Sequence, residues 1–156
     1  MGKKIVTPRC CAKGISFAIV VARFHESITE KLLKACLDEF SRNDVCECEI
    51  QVVKVPGAFD IPVTALHLAR KKNIKAVICL GAVIRGQTFH YELVASQAAR
   101  GIQEVALLTA KPVIFEVLAA DTVQLCQARA KDGDRDNKGA SAARAALEMV
   151  ETLNSL

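Results

Sequence analysis

The chain has 156 residues and 16.9 kDa, room for one domain. Apolar residues at 51% and charged residues at 24% exclude a disordered or linker-dominated chain. A net charge of +4, with Lys and Arg interspersed among Asp and Glu, excludes a nucleic-acid stripe and leaves small anionic ligands open.

The N-terminal MGKKIVTPRC is basic, with no leader-length apolar region after it, and reads as an extension over residues 1–13 ahead of a single domain over 14–156. Gly14 to Ala22 (GISFAIVVA) is a β-branched run, a buried strand far shorter than the ~20 residues of a membrane-spanning helix. Ser27-Ile-Thr-Glu30 has a capping-box pattern, and Ile28, Leu32, Leu33, Cys36, Leu37 and Phe40 form one face of the helix it should start. A second strand is expected from Cys46 to Val55, stopped by Pro56-Gly57. Asp60 or Pro62 then opens a short helix through Lys72. Lys75 to Gly81 reads as a third buried strand. A long helix from about His90 turns Val94, Ala98, Ile102 and Val105 inward. Pro112 to Leu118 is a fourth strand and Asp121-Thr-Val-Gln124 caps a further helix. A last helix runs from about Gly139 to Leu153, with Ala143, Leu147, Val150 and Leu153 on one side.

Strands that are apolar throughout and alternate with helices call for a parallel sheet covered on both faces. The expected fold is therefore α/β, a doubly wound three-layer α/β/α sandwich on a four-stranded parallel sheet, flavodoxin-like. Ligands of such sheets bind beyond the carboxyl ends of the strands. That places the candidate loops at Arg23–Ser27, Pro56–Pro62, Ala82–His90 and after Phe115.

In the third loop, backbone N–H groups at a helix start, Gly86 and the Thr88 hydroxyl suit an anion, and His90 beside them suits proton transfer. From this loop alone the plainer assignment is favoured: a turn at Gly86, a cap at Thr88, a surface histidine. Asp60 serves equally well as a helix cap or as a partner for a polyhydroxylated chain. Phe24 more commonly closes a core than stacks on a ring, and a single Arg129 is more often solvated than phosphate-bound. Seven cysteines in mostly apolar segments read as reduced, packed thiols of a cytoplasmic protein, Cys46-Glu-Cys48 as packing within a strand and not zinc. No metal and no cofactor is expected.

Taken together, PGAFDIP, GAVIRGQTFHYELV, KPVIFEVL and NKGASAARAALEM, in this order and spacing, resemble the lumazine synthase (6,7-dimethyl-8-ribityllumazine synthase) family over nearly the whole chain, from Phe24 to Met149. The resemblance implies condensation of 5-amino-6-(D-ribitylamino)uracil with 3,4-dihydroxy-2-butanone 4-phosphate, the penultimate step of riboflavin biosynthesis. It implies that Phe24 stacks on the pyrimidine, and that Ala58, Phe59, Asp60, Ala82, Val83 and Ile84 line the pyrimidine and ribityl site. Gln87 and Thr88 would bind phosphate and His90 would transfer protons. Phe115 and Arg129 would come from a neighbouring subunit, with Lys138 as a further cation. It also implies a homo-oligomer, a pentamer or a 60-mer of pentamers; the scattered charge and short apolar runs point to no nucleic-acid or membrane partner. His25, Asp60, Glu116, Ala119 and the stretch from Lys131 to Asp136 depart from the family's usual pattern, the last leaning toward the pentamer. A riboflavin synthase of related sequence and a flavin-binding scaffold without turnover are the competing expectations.

Overall fold

The computed structural model describes residues 16–156. The expected extension over 1–13, the start of the first strand at Gly14, and Cys10 and Cys11 lie outside the described residues. Four strands, β1 (Phe17–Ala22), β2 (Ile50–Val55), β3 (Ala76–Ile84) and β4 (Val113–Ala120), form one parallel sheet in the order β2-β1-β3-β4. The helices are α1 (Glu26–Arg42), α2 (Ile61–Ala69), α3 (His90–Thr109), α4 (Val123–Arg129) and α5 (Lys138–Asn154).

Alternation along the strands builds two cores. Phe17, Ile19 and Val21 of β1, with Ile78, Leu80 and Ala82 of β3, pack under α1, α4 and α5. Ala18, Val20 and Ala22, with Val77, Cys79 and Val83, pack under α2 and α3. Because both faces are covered, β1 and most of β3 are apolar at every position. Aliphatic side chains fill both cores, and among the described residues the one aromatic pair in them is Phe17 against Phe40, centroids 4.9 Å apart.

The helix α5 approaches α1 through small residues. Ala140, Ala142, Ala143 and Ala146 are buried, and a Cβ on Gly139 would lie 1.9 Å from the Leu32 carbonyl oxygen. Asn137, 1% exposed, sets the start of α5: its Oδ1 accepts from Gly139 N at 2.8 Å and its Nδ2 donates to Lys131 O at 3.1 Å. The fifth helix therefore begins at Lys138, one residue before the expected Gly139. Its far end is looser, with Leu147 and Val150 half-buried and Leu153 exposed.

Several boundaries differ from the sequence expectation. The helix α1 begins at Glu26 with His25 as its left-handed N-cap, so Ser27 sits in the first turn and the expected capping box does not form. The Ile28 and Thr29 amides donate to His25 O, which closes the first turn without a side-chain cap. Residues Cys46 to Glu49 form a 3₁₀ turn and not strand, because Glu49 Oε2 accepts from Cys46 N at 3.1 Å; Cys46-Glu-Cys48 belongs to that turn. The helix α2 stops at Ala69, three residues short of Lys72. The strand β3 continues past Gly81 to Ile84, because Ala82, Val83 and Ile84 pair with Leu118, Ala119 and Ala120 of a likewise longer β4.

Candidate functional site

Strand order reverses between β1 and β3, and the carboxyl ends of β1, β2 and β3 surround a cleft of about 320 Å³ there. Pairing beyond the regular strands shapes its rim. Arg23 N donates to Val55 O at 2.8 Å and Phe24 N to Pro56 O at 3.1 Å, which sets the Phe24 ring beside the turn after β2. Both Phe24 and Phe59 are largely exposed at this rim, 68% and 63%. Two large aromatic side chains left in solvent around a concave site suit a flat apolar ligand.

The floor is strand. Ala82, Val83 and Ile84 line the cleft as the last residues of β3, on paired backbone and not on the loop expected there. The opposite wall is the turn Ala58–Asp60. Asp60 does not line the cleft: its Oδ2 accepts from Gly57 N at 3.0 Å and its carbonyl accepts from Thr64 Oγ1 at 3.1 Å, so it rigidifies the turn that carries Ala58 and Phe59.

The third wall is the loop from Arg85 to Phe89 and the start of α3. Gly86, Thr88 and His90 line the cleft, and a Cβ on Gly86 would meet nothing within 4 Å, so the backbone there is open to an approaching ligand. Thr88 Oγ1 accepts from His90 N at 3.4 Å, which puts a hydroxyl and an imidazole at the N-terminus of a twenty-residue helix. Gln87 lies on the same loop, exposed and outside the lining residues.

Three side chains in the cleft were not named as site residues from sequence. Tyr91 and Val94 come from the first turns of α3; Val94 stands four residues on from His90, a helical spacing that signals a shared face, whereas Tyr91 at a spacing of one carries no such signal. His25 also lines it, at φ 60° and ψ 46°, with its ring edge-on to Phe24 and centroids 4.7 Å apart. Burial pulls the His25 imidazole below its usual pKa, which favours the neutral ring beside Phe24.

Phe115, Arg129 and Lys138 are absent from this cleft within one chain. Phe115 is half-exposed on β4, Arg129 ends α4 with its Nη1 donating to Leu125 O at 3.2 Å, and Lys138 begins α5. Glu116, next to Phe115 on β4, is pushed up in pKa by burial, against a smaller opposing pull from Lys138. Among the described residues no group of three or more His, Cys, Asp or Glu could hold a metal ion, and no helix is long and apolar enough to cross a membrane.

The cleft therefore offers aromatic faces, β3 backbone, and a helix start where the Thr88 hydroxyl lies beside the His90 imidazole. The chain matches the family model for 6,7-dimethyl-8-ribityllumazine synthase over residues 14–154. It is 43% identical over 156 residues to 6,7-dimethyl-8-ribityllumazine synthase from each of two strains of Thermus thermophilus, the alignment covering 100% of this chain and 99% of each relative.

Proposed function

The chain belongs to the 6,7-dimethyl-8-ribityllumazine synthase family, and from that premise we propose that the cleft at the ends of β1, β2 and β3 is where it makes the lumazine ring. The protein is a transferase of riboflavin biosynthesis: it condenses 5-amino-6-(D-ribitylamino)uracil with 3,4-dihydroxy-2-butanone 4-phosphate. The products are 6,7-dimethyl-8-ribityllumazine, phosphate and water.

The substrate's 5-amino group attacks the ketone carbon, and loss of water leaves an imine. Elimination of phosphate and tautomerisation then expose a second carbonyl carbon to the ribitylamino nitrogen, and ring closure expels another water. The nucleophile belongs to the substrate, so the protein needs no activated side chain of its own. Its work is to hold two reactants in register, stabilise the departing phosphate and move protons.

In this reading Phe24 stacks on the pyrimidine, and Ala58, Phe59 and the β3 residues Ala82 to Ile84 border the ring and ribityl chain. Asp60 supports its own turn. Gly86 and Thr88, with Gln87 beside them, take the phosphate at the start of α3, and His90 transfers protons next to it. The single observation that carries this reading is Thr88 and His90 at that helix start, facing Phe24 across one cleft.

Phe115, Arg129 and Lys138 lie outside the cleft of their own chain, and we assign them to the cleft of a neighbouring copy. A head-to-tail contact of that kind closes into a ring where the rotation between copies allows it, and a pentamer working in the cytoplasm is the assembly we propose. Mixing the two substrates tests the function: lumazine absorbance should rise together with free phosphate. Riboflavin binding without either signal would contradict it.

A further inference from the structure

Arg85 leaves the carboxyl end of β3 and opens the five-residue connection to α3 that carries Gly86 and Thr88. Its backbone N donates to Ala120 O at 3.0 Å, one more rung between β3 and β4. Its guanidinium is engaged on three sides. Nε lies 2.7 Å from Asp121 Oδ1, just past β4; Nη2 lies 3.5 Å from Glu92 Oε1, in the first turn of α3; and Cζ stands 5.3 Å from the Tyr91 ring centroid. The side chain thus ties the start of the loop to the helix turn just beyond its end, and both to β4. Tyr91 itself lines the cleft.

We propose that Arg85 is a positioning residue that holds the loop from Gly86 to Phe89 in its phosphate-accepting shape, with Asp121 as the outer anchor and Glu92 as the inner one. The inference rests on the reading of that loop as the phosphate site. One exposed ion pair contributes little. Here a single planar group joins one carboxylate at the exit of β4 to a carboxylate and a ring in the first turn of α3, a geometry a lysine ammonium does not reproduce. The guanidinium is already committed to two carboxylates, so it braces the cradle and does not itself act as the anion ligand. A loop held in its bound shape avoids an ordering cost on binding, and that advantage appears as affinity for the anion.

The experiment compares Arg85→Gln, Arg85→Lys and Asp121→Asn with the unaltered protein. It reads KM for each substrate and the inhibition constant of inorganic phosphate. Arg85→Gln should raise the KM for the butanone phosphate and the phosphate inhibition constant by about tenfold, and leave the KM for the pyrimidine within about twofold. Arg85→Lys should recover only part of this loss. Asp121→Asn removes an exposed carboxylate away from the cleft and should weaken phosphate in the same direction by a few-fold. If phosphate inhibition is unchanged in Arg85→Gln, the brace is disproved. If Asp121→Asn tightens phosphate, Arg85 is a direct ligand released from its partner, and the positioning role is equally overturned. An unaltered protein that forms no lumazine and binds no phosphate would instead remove the parent reading of the loop.

Discussion

His90 stands on a helix start facing the cleft and is exposed, so its removal tests chemistry without disturbing the core. His90→Ala should lower kcat by roughly 100-fold or more, the usual range for losing a placed proton-transfer group, with an unchanged thermal melt. Unaltered turnover would take His90 out of the mechanism. Two other ionisable groups add a pH dependence to stability. His25 is held below its ordinary pKa by burial, so the unfolded chain takes up that proton first. Stability should therefore be full above about pH 6.5 and fall as pH drops through the lowered folded value. Glu39 has the same sign on the acid side. Burial alone would raise its pKa, but bonds from Arg144 and Arg42, at 3.3 and 3.1 Å, outweigh it and hold the carboxyl low. Its contribution is complete above the usual carboxylate range near 4.3 and is lost as pH falls through the lowered value. Denaturant melts across pH should show both slopes. His25→Asn should flatten the slope near neutrality, since Asn also accepts the left-handed backbone, and Glu39→Gln should flatten the acid one. A melt series indifferent to both substitutions would refute the assignment.

At the scale of elements, the contact between α1 and α5 depends on one missing methyl group. Gly139→Ala would drive a Cβ into the Leu32 carbonyl, and separating the helices to relieve it should cost about 1–3 kcal/mol. A chemical melt of that variant superimposable on the parent's would contradict the close packing. The order and type of these elements could be read from apolar runs and helical spacing, and the parallel sheet followed from strands lacking a polar face. What escaped was set by partners distant in sequence. Gly81 is the expected end of the third strand. It is instead a packing accommodation, where a Cβ would come within 3.2 Å of Val117 Cγ1 while the strand runs on to Ile84. Ser27 carried a local cap signal that lost to the loop fixed by the Arg23 and Phe24 amides. In the cleft, Phe24, Thr88 and His90 followed from motif resemblance and strand-end logic. Tyr91 and His25 required the third dimension, one through the helix phase and the other through a left-handed turn. The inward bond of Asp60 to Gly57 was invisible in sequence because helix cap and ligand partner call for the same residue type.

Across the whole molecule, the largest apolar side chains left in solvent include Leu107 and Leu108 on α3, both 73% exposed, and Phe115, Val123 and Leu125 around β4 and α4. Single exposed apolar residues are ordinary, but Phe115, together with Val123 and Leu125 on the helix that carries Arg129, fits burial between copies. Sedimentation should report about five chains of 16.9 kDa moving together; a monomer at micromolar concentration would contradict the shared cleft. The most direct test of that shared cleft is complementation. His90→Ala and Arg129→Ala are each expected to be nearly inactive alone. Co-expressed in equal amounts, they should regain about a quarter of the normal sites, because a ring of mixed chains sets intact His90 beside a neighbour's intact Arg129 at that frequency. Mixed oligomers with no more activity than the two parents would show that each chain works alone.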